Sequence, residues 1–173
     1  QSWAMLARFS LNSSNSNPPA LSRKLDARTQ IQRFRSRAMT TIDDKNLNRV
    51  AEFHAAFGHP INDDPKLGDF VLNELRTDLI AEELWELEMG MDEEDPIEVL
   101  DALCDLQYVL DGAFLALGFH QCKEDGMAEV HRSNMSKLGE DGKPIYREDG
   151  KILKGPNYRK PDLEAVLRKH GKL

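Results

Sequence analysis

The sequence predicts an all-α fold, a bundle of four to five helices with a short C-terminal hairpin or irregular appendage. Three observations carry that prediction. From residue 43 onward, apolar residues recur at helical spacing. The periodic runs are bracketed by aspartates and glycines, the start and stop signals of helices. Only near residue 140 does the pattern give way to short extended pairs around Asp-Gly turns.

The elements follow in order. Asp43 or Asp44 caps a first helix that carries Leu47, Val50, Phe53 and Phe57 and stops at Gly58. Residues 59–66 hold two prolines and an Asn-Asp-Asp run, a loop composition. A long second helix runs from about Gly68 to Met89, with Gly90 as its end. Asp95-Pro96 opens a third helix that reaches about Leu117, before Gly118. A fourth spans about Lys123 to Leu138. Glu140-Asp-Gly-Lys recurs as Glu148-Asp-Gly-Lys, and Ile145-Tyr146 and Ile152-Leu153 flank the second turn, a hairpin signal. Pro161-Asp162 starts a last short helix through Leu163, Val166 and Leu167.

With 173 residues, the chain is long enough for one domain and a tail. Residues 1–38 carry seven basic side chains against Asp26 alone, +6, in a Ser- and Asn-rich stretch with Pro18-Pro19. That composition fits a targeting segment, implying mitochondrion or plastid, or else an unstructured extension on a cytoplasmic protein. The domain is expected at 39–173. A net charge of −7 for the whole leaves −13 on that part. So acidic a body repels phosphate backbones, which argues against a nucleic-acid polymer as partner. No stretch approaches the roughly 20 apolar residues of a spanning helix, so no membrane is expected. Cys104 and Cys122, both in apolar sequence, read as reduced core thiols.

The chemistry lies in carboxylates placed where core residues belong. With Leu79 at zero, Leu72 falls at about +20°, Leu75 at about −40°, Glu83 at about +40° and Glu86 at about −20° around the second helix. The apolar stripe therefore runs on into two glutamates, with Glu82 at its margin. Around the third helix, Glu98, Asp101 and Asp105 form one acidic strip beside Val109, close to Tyr108. The wide apolar arc opposite (Val99, Leu100, Leu103, Leu106, Leu110) predicts burial on most sides. A buried unpaired carboxylate is costly, so a positive charge belongs against these strips. Two helices facing each other with hard oxygens suit Mg²⁺ or Mn²⁺ and, through it, a polyphosphate, a spare carboxylate taking a proton from water. Two plainer readings stand beside this one. Asp95-x-x-Glu98 fits a capping box, and Glu82, Glu86, Glu88, Glu93 and Glu94 fit a solvated acidic face. A di-iron bundle needs Glu-x-x-His pairs, and no histidine follows a glutamate at that spacing.

Glu82-Glu83-Leu-Trp-Glu86 followed by Glu98-Val-Leu-Asp101-Ala-Leu-Cys-Asp105-Leu-Gln-Tyr108 resembles the E-E-x-x-E … E-x-x-D signature of the all-α nucleoside-triphosphate pyrophosphohydrolases. That superfamily includes the MazG proteins, the dimeric dUTPases and phosphoribosyl-ATP pyrophosphohydrolase. The segment from Val130-His-Arg-Ser-Asn-Met-Ser-Lys137 through Lys154-Gly-Pro-Asn-Tyr158 is similar to the C-terminal part of a phosphoribosyl-ATP pyrophosphohydrolase-like branch. The resemblance covers about residues 44–167. It implies cleavage of a nucleoside triphosphate by water to the monophosphate and pyrophosphate, with Mg²⁺ or Mn²⁺, in a homodimer or homotetramer. It also implies Glu83, Glu86, Glu98 and Asp101 as metal ligands, with Glu82 a further ligand or the base. In other branches the aspartate stands directly before an aliphatic-x-Tyr run, which makes Asp105 the ligand instead; both aspartates stay candidates. His131, Asn134 and Lys137 at helical spacing, with Lys154, Asn157 and Tyr158, are the candidate substrate contacts. Clearance of dUTP or other non-canonical nucleotides is the role the superfamily implies. The alternatives are phosphoribosyl-ATP pyrophosphohydrolase itself and a non-catalytic oligomerisation module.

Overall fold

The computed structural model describes residues 44–173; the basic segment and the boundary expected at 39 lie outside them. Five α-helices follow in order among the described residues: α1 (Lys45–Phe57), α2 (Phe70–Asp92), α3 (Pro96–Ala116), α4 (Lys123–Met135) and α5 (Leu163–Lys169). A 3₁₀ turn, His120–Cys122, joins α3 to α4. No single helix among them is long and apolar enough to cross a membrane.

Aspartates open four of the helices, as the sequence indicates. Asp44 accepts from the Asn46 and Leu47 amides, Asp69 from Leu72, Asp95 from Ile97 and Glu98, and Asp162 from Ala165. Each cap satisfies amides that have no partner in the first turn, worth about 1 kcal/mol.

The apolar core forms where α1 crosses the C-terminal half of α3. Leu47, Val50, Ala51 and Leu115 are its buried centre, with Ile61, Tyr108 and Phe114 packed around them. Removing a leucine side chain here costs about 2–5 kcal/mol. The α1–α2 connection is bound to the end of α3: Asn62 donates its amide to the Leu115 carbonyl and its side chain to that of Ala116. Gly118 has φ +81°, and a Cβ there would stand 2.1 Å from the Asp64 carbonyl oxygen, so only glycine permits this closure. Lys123 bridges Asp44 and the fully buried Asp111, tying the start of α1 to α3 and α4.

The α2–α3 hairpin is the largest helix contact and keeps one antiparallel register. Gly90 lies against Glu98 and Val99, and Gly112 lies against Arg76, fourteen residues away along each helix. Gly90 thus does not end α2, contrary to the sequence expectation. Helix α2 continues to Asp92 because this glycine sits inside it at the crossing, where a Cβ would come within 3.1 Å of the Val99 nitrogen.

Two further expectations change. Helix α3 is not buried on most sides: Ile97, Leu100, Leu103 and Cys104 are exposed, so only Cys122 is a core thiol. Among the described residues no second layer covers that arc. The C-terminal hairpin shrinks to one antiparallel bridge, Tyr146 to Ile152, around the Asp149-Gly150 turn. Its residues are all exposed, and an isolated pair of strands gains little without an apolar surface beneath it. The rest of the appendage is held to α4, where Ser133 donates to the Arg159 carbonyl and Gly155 approaches Leu138 too closely for any side chain.

Candidate active site

The buried residues of α2 are Arg76, Leu79, Glu83 and Gly90, a stripe at i, i+3, i+7 and i+14 that faces α3. The apolar stripe does continue into an acid. Glu83 is 5% exposed, and its Oε2 has no hydrogen-bond partner. Its pKa is pushed up to about 7, first by burial and then by the charges of Asp105, Glu86, Glu82 and Asp101. Glu86 is half-buried and also raised, by burial and then chiefly by Glu82, with Asp105 and Asp101 adding to it. Asp105 is half-buried and raised by burial and by Asp101.

These shifts identify which carboxylates share one space. Glu82, Glu83 and Glu86 from α2 and Asp101 and Asp105 from α3 lie within one another's fields. Among the described residues none of them pairs with a lysine, arginine or histidine. Between the two candidate aspartates, Asp105 is the half-buried one and the foremost charge acting on Glu83, whereas Asp101 is exposed. Tyr108 is half-buried beside Asp105 and raised by burial, then by Asp105 and Glu52. Glu98 stands at the Gly90 crossing and is exposed. The reciprocal arm of a capping box is missing, because the Asp95 amide donates to the Gly90 carbonyl instead, which leaves the Glu98 carboxylate unspent.

Among the described residues no three such side chains already stand at the distances of a closed coordination shell. Like charges held apart by repulsion are what a cation would draw together. The donor set fits a hard divalent ion: it consists of carboxylates only and includes the orphaned Glu83 oxygen.

The candidate substrate contacts form a separate group. His131 and Asn134 are exposed on α4, and Lys137 just beyond its end donates to the Asn134 side chain at 2.7 Å. Lys154 lies 4.5 Å over the Tyr158 ring, Asn157 is exposed beside them, and the Gly155 amide donates to the Lys137 carbonyl. These residues therefore gather with one another at the junction of α4 and the appendage. The main contacts of α4 are with the 3₁₀ turn and α5, not with the acidic hairpin.

Arg76 is the residue that reading the sequence missed. It is 4% exposed, one level above Glu83 on the same stripe, with His54 and Gly112 against it. Its place, at about +60° from Leu79, lies just past Glu83 on the wheel, so the same turn-by-turn count contains the signal.

Residues 50–134 match the family described as PRA-PH, phosphoribosyl-ATP pyrophosphohydrolase, within the MazG-like all-α superfamily; that stretch contains α2, α3 and every acid above. An uncharacterized protein, L479, of Acanthamoeba polyphaga mimivirus is 31% identical over 116 residues. The match takes in 63% of this chain and 46% of that relative, so the chain spans about half the length of the curated protein it resembles.

Proposed function

From the premise that residues 50–134 are a PRA-PH family domain, we propose that the chain is a Mg²⁺- or Mn²⁺-dependent nucleotide pyrophosphohydrolase. It converts a nucleoside or deoxynucleoside triphosphate and water to the monophosphate and pyrophosphate. The observation that carries this reading is Glu83, a buried carboxylate whose Oε2 has no hydrogen-bond partner, set among four other acids and, among the described residues, in no ion pair.

Glu83, Glu86 and Asp105 (or Asp101) would hold the ions, with Glu98 at the edge. Bound there, a divalent ion supplies charge neutralisation for the polyphosphate and lowers the pKa of water. The protein side of the reaction is proton handling. A carboxylate poised near neutrality, such as Glu83, or the adjoining half-buried Glu82, takes the proton of the attacking water as its oxygen bonds to phosphorus and the anhydride oxygen leaves with pyrophosphate. Helices α2 and α3 fix these side chains because Gly90 lets the backbones approach closely beneath them.

The assembly we infer is a homodimer or homotetramer. Leu84, Trp85, Ile97, Leu100 and Leu103 lie on the exposed sides of the hairpin, and a second copy covering them would bury an apolar face of a kind that soluble monomers seldom leave open. Pairing would also offer a route for Lys137 and Lys154 to reach a neighbour's acids.

The family's own description favours one second reading, phosphoribosyl-ATP as the substrate. One panel separates the two: pyrophosphate release from dUTP, dCTP, dTTP, dATP, dGTP, UTP, ATP and phosphoribosyl-ATP, with Mg²⁺, Mn²⁺ or EDTA. Metal-dependent release that disappears in Glu86→Ala supports the proposal and names the substrate. Absence of release from every compound, with no thermal shift on adding metal, leaves a helical scaffold.

A further inference from the structure

Arg76 is buried like a core residue, yet two of its donors have nowhere to go. Nε and Nη2 are both inaccessible and both without a hydrogen-bond partner. These two nitrogens lie on the same side of the guanidinium plane and point their N–H bonds nearly parallel. That edge matches two oxygens of one phosphate or carboxylate.

Among the described residues no carboxylate pairs with Arg76. Two titratable neighbours are histidines. Buried His54 is kept neutral, its pKa lowered to about 3 first by desolvation, and its Nδ1 donates to the Pro60 carbonyl. Half-buried His59 is lowered by desolvation and by the Arg76 charge itself. Burial lowers Arg76 to about 10, which still leaves it cationic at neutral pH. Gly112 is part of the arrangement, since a Cβ there would lie 3.1 Å from His54 Nε2 and 3.2 Å from Arg76 Nη1. Glycine thus admits the arginine, while Nε and Nη2 on the opposite edge are buried without a hydrogen-bond partner. A buried charge without a counter-ion destabilises a fold by several kcal/mol, and a water molecule in the fork would satisfy the donors without neutralising the charge.

The position adds the chemical sense. Arg76 and Glu83 lie seven residues apart on one stripe of α2, which places the two levels about 10 Å apart along the helix. One level gathers cations, and the other presents a cation of its own.

We propose that Arg76 is the anchor of a second oxyanion subsite, a specificity-determining residue that grips a phosphate group side-on about 10 Å from the carboxylates. Its source is either a phosphate of the substrate remote from the anhydride that is cleaved, or free phosphate acting as an effector. The subsite deepens the pyrophosphohydrolase reading and rests on it for the word substrate, but anion binding itself does not.

The test uses the full chain in EDTA, so the acids hold no metal and turnover is absent. Inorganic phosphate is titrated against chloride of equal ionic strength, with melting temperature and ³¹P line width as readouts. Wild type is expected to gain melting temperature and to broaden the phosphate signal. Arg76→Met is expected to melt at or above wild type without phosphate, to gain nothing from it, and to fall below wild type at saturation. Arg76→Lys, which keeps the charge and loses the fork, is expected to lose most of the gain and keeps the test open should the methionine variant not fold. Kinetics with metal then separate the sources. A KM raised only for substrates with a remote phosphate, kcat unchanged, assigns the subsite to substrate; equal KM across substrates, with activation by phosphate, assigns it to an effector. The proposal is overturned if phosphate leaves wild type unmoved, if Arg76→Met and Arg76→Lys respond as wild type does, or if melting depends on protein concentration and not on phosphate, which would mean a second copy fills the fork.

Discussion

The acids of this protein fall into two populations that differ in their partners. In the C-terminal part Asp125, Glu129 and Asp149 each have a cationic partner. Arg132 binds Glu129 at 2.6 Å and, with the Asp162 amide, lowers its pKa to about 2. Lys169 and then His170 lower Asp125, and Arg147 lowers Asp149. In the α2–α3 hairpin the order reverses: Glu83, Glu86 and Asp105 are raised, and burial and one another are the causes. The same residue types, in one acidic chain, are stabilised as anions in one region and destabilised as anions in the other. Paired acids hold a strap to α4. Unpaired acids at a rigid helix crossing are a request for a cation from outside.

Four expected outcomes can break or sharpen that contrast. The largest concerns turnover. Glu83→Gln or Glu86→Ala should reduce metal-dependent pyrophosphate release by about 100-fold or more, the scale of losing several kcal/mol of charge stabilisation. Arg147→Ala in the appendage should leave it unchanged, and equal losses in both regions would erase the distinction.

Next comes the pH dependence of stability without metal. Glu83 has a folded pKa near 7 against an ordinary 4.5, so the folded protein binds more protons between those values and stability falls as pH rises from about 4.5 to about 7. The drop should be on the order of 2 kcal/mol, absent in Glu83→Gln and reversed by Mn²⁺. Asp125, Glu129 and Asp149 have the opposite sign: their pKa values are depressed, so their contribution is present above about 4 and lost as pH falls below it. Urea melts across pH 4–8 read both limbs.

A third outcome tests the crossing. Gly90→Ala brings a methyl group to 3.1 Å from the Val99 nitrogen and 3.2 Å from the Glu98 Cβ. It should cost about 1–3 kcal/mol in denaturant melts and weaken Mn²⁺ binding, because the hairpin must spread beneath the acids. Unaltered binding would show that the spacing is not tuned there. The smallest effect belongs to the exposed i, i+4 pair of α5, where Arg168→Ala should cost about 0.3–0.5 kcal/mol and touch neither metal nor substrate.

The helices were legible because their signals are local. Asp44, Asp95 and Asp162 cap where an aspartate precedes a periodic run, and Gly58 ends α1 in the left-handed region with φ 75°. Gly90 was misread for a reason that is not local, since nothing in its own helix says that Val99 stands against it. The acidic face was legible from Glu83 continuing a leucine stripe. The same count places Arg76 on that stripe, but its burial goes unread because an arginine on a helix reads as solvent-facing until the residue opposite, Gly112, is known. The exposure of Ile97, Leu100 and Cys104 was misjudged for a related reason: an apolar arc states that something covers it without saying which chain provides the cover.

The most direct test of the central claim is calorimetric titration of Mn²⁺ into the phosphate-free protein at pH 6, repeated in two buffers of different ionisation enthalpy. Binding accompanied by proton release is expected, because Glu83 is largely protonated at that pH and must give up its proton to become a ligand. That release should be lost in Glu83→Gln and retained in Arg147→Ala, and the central claim stands on this result. Absence of binding in wild type, or binding and proton release unchanged in Glu83→Gln, would contradict it.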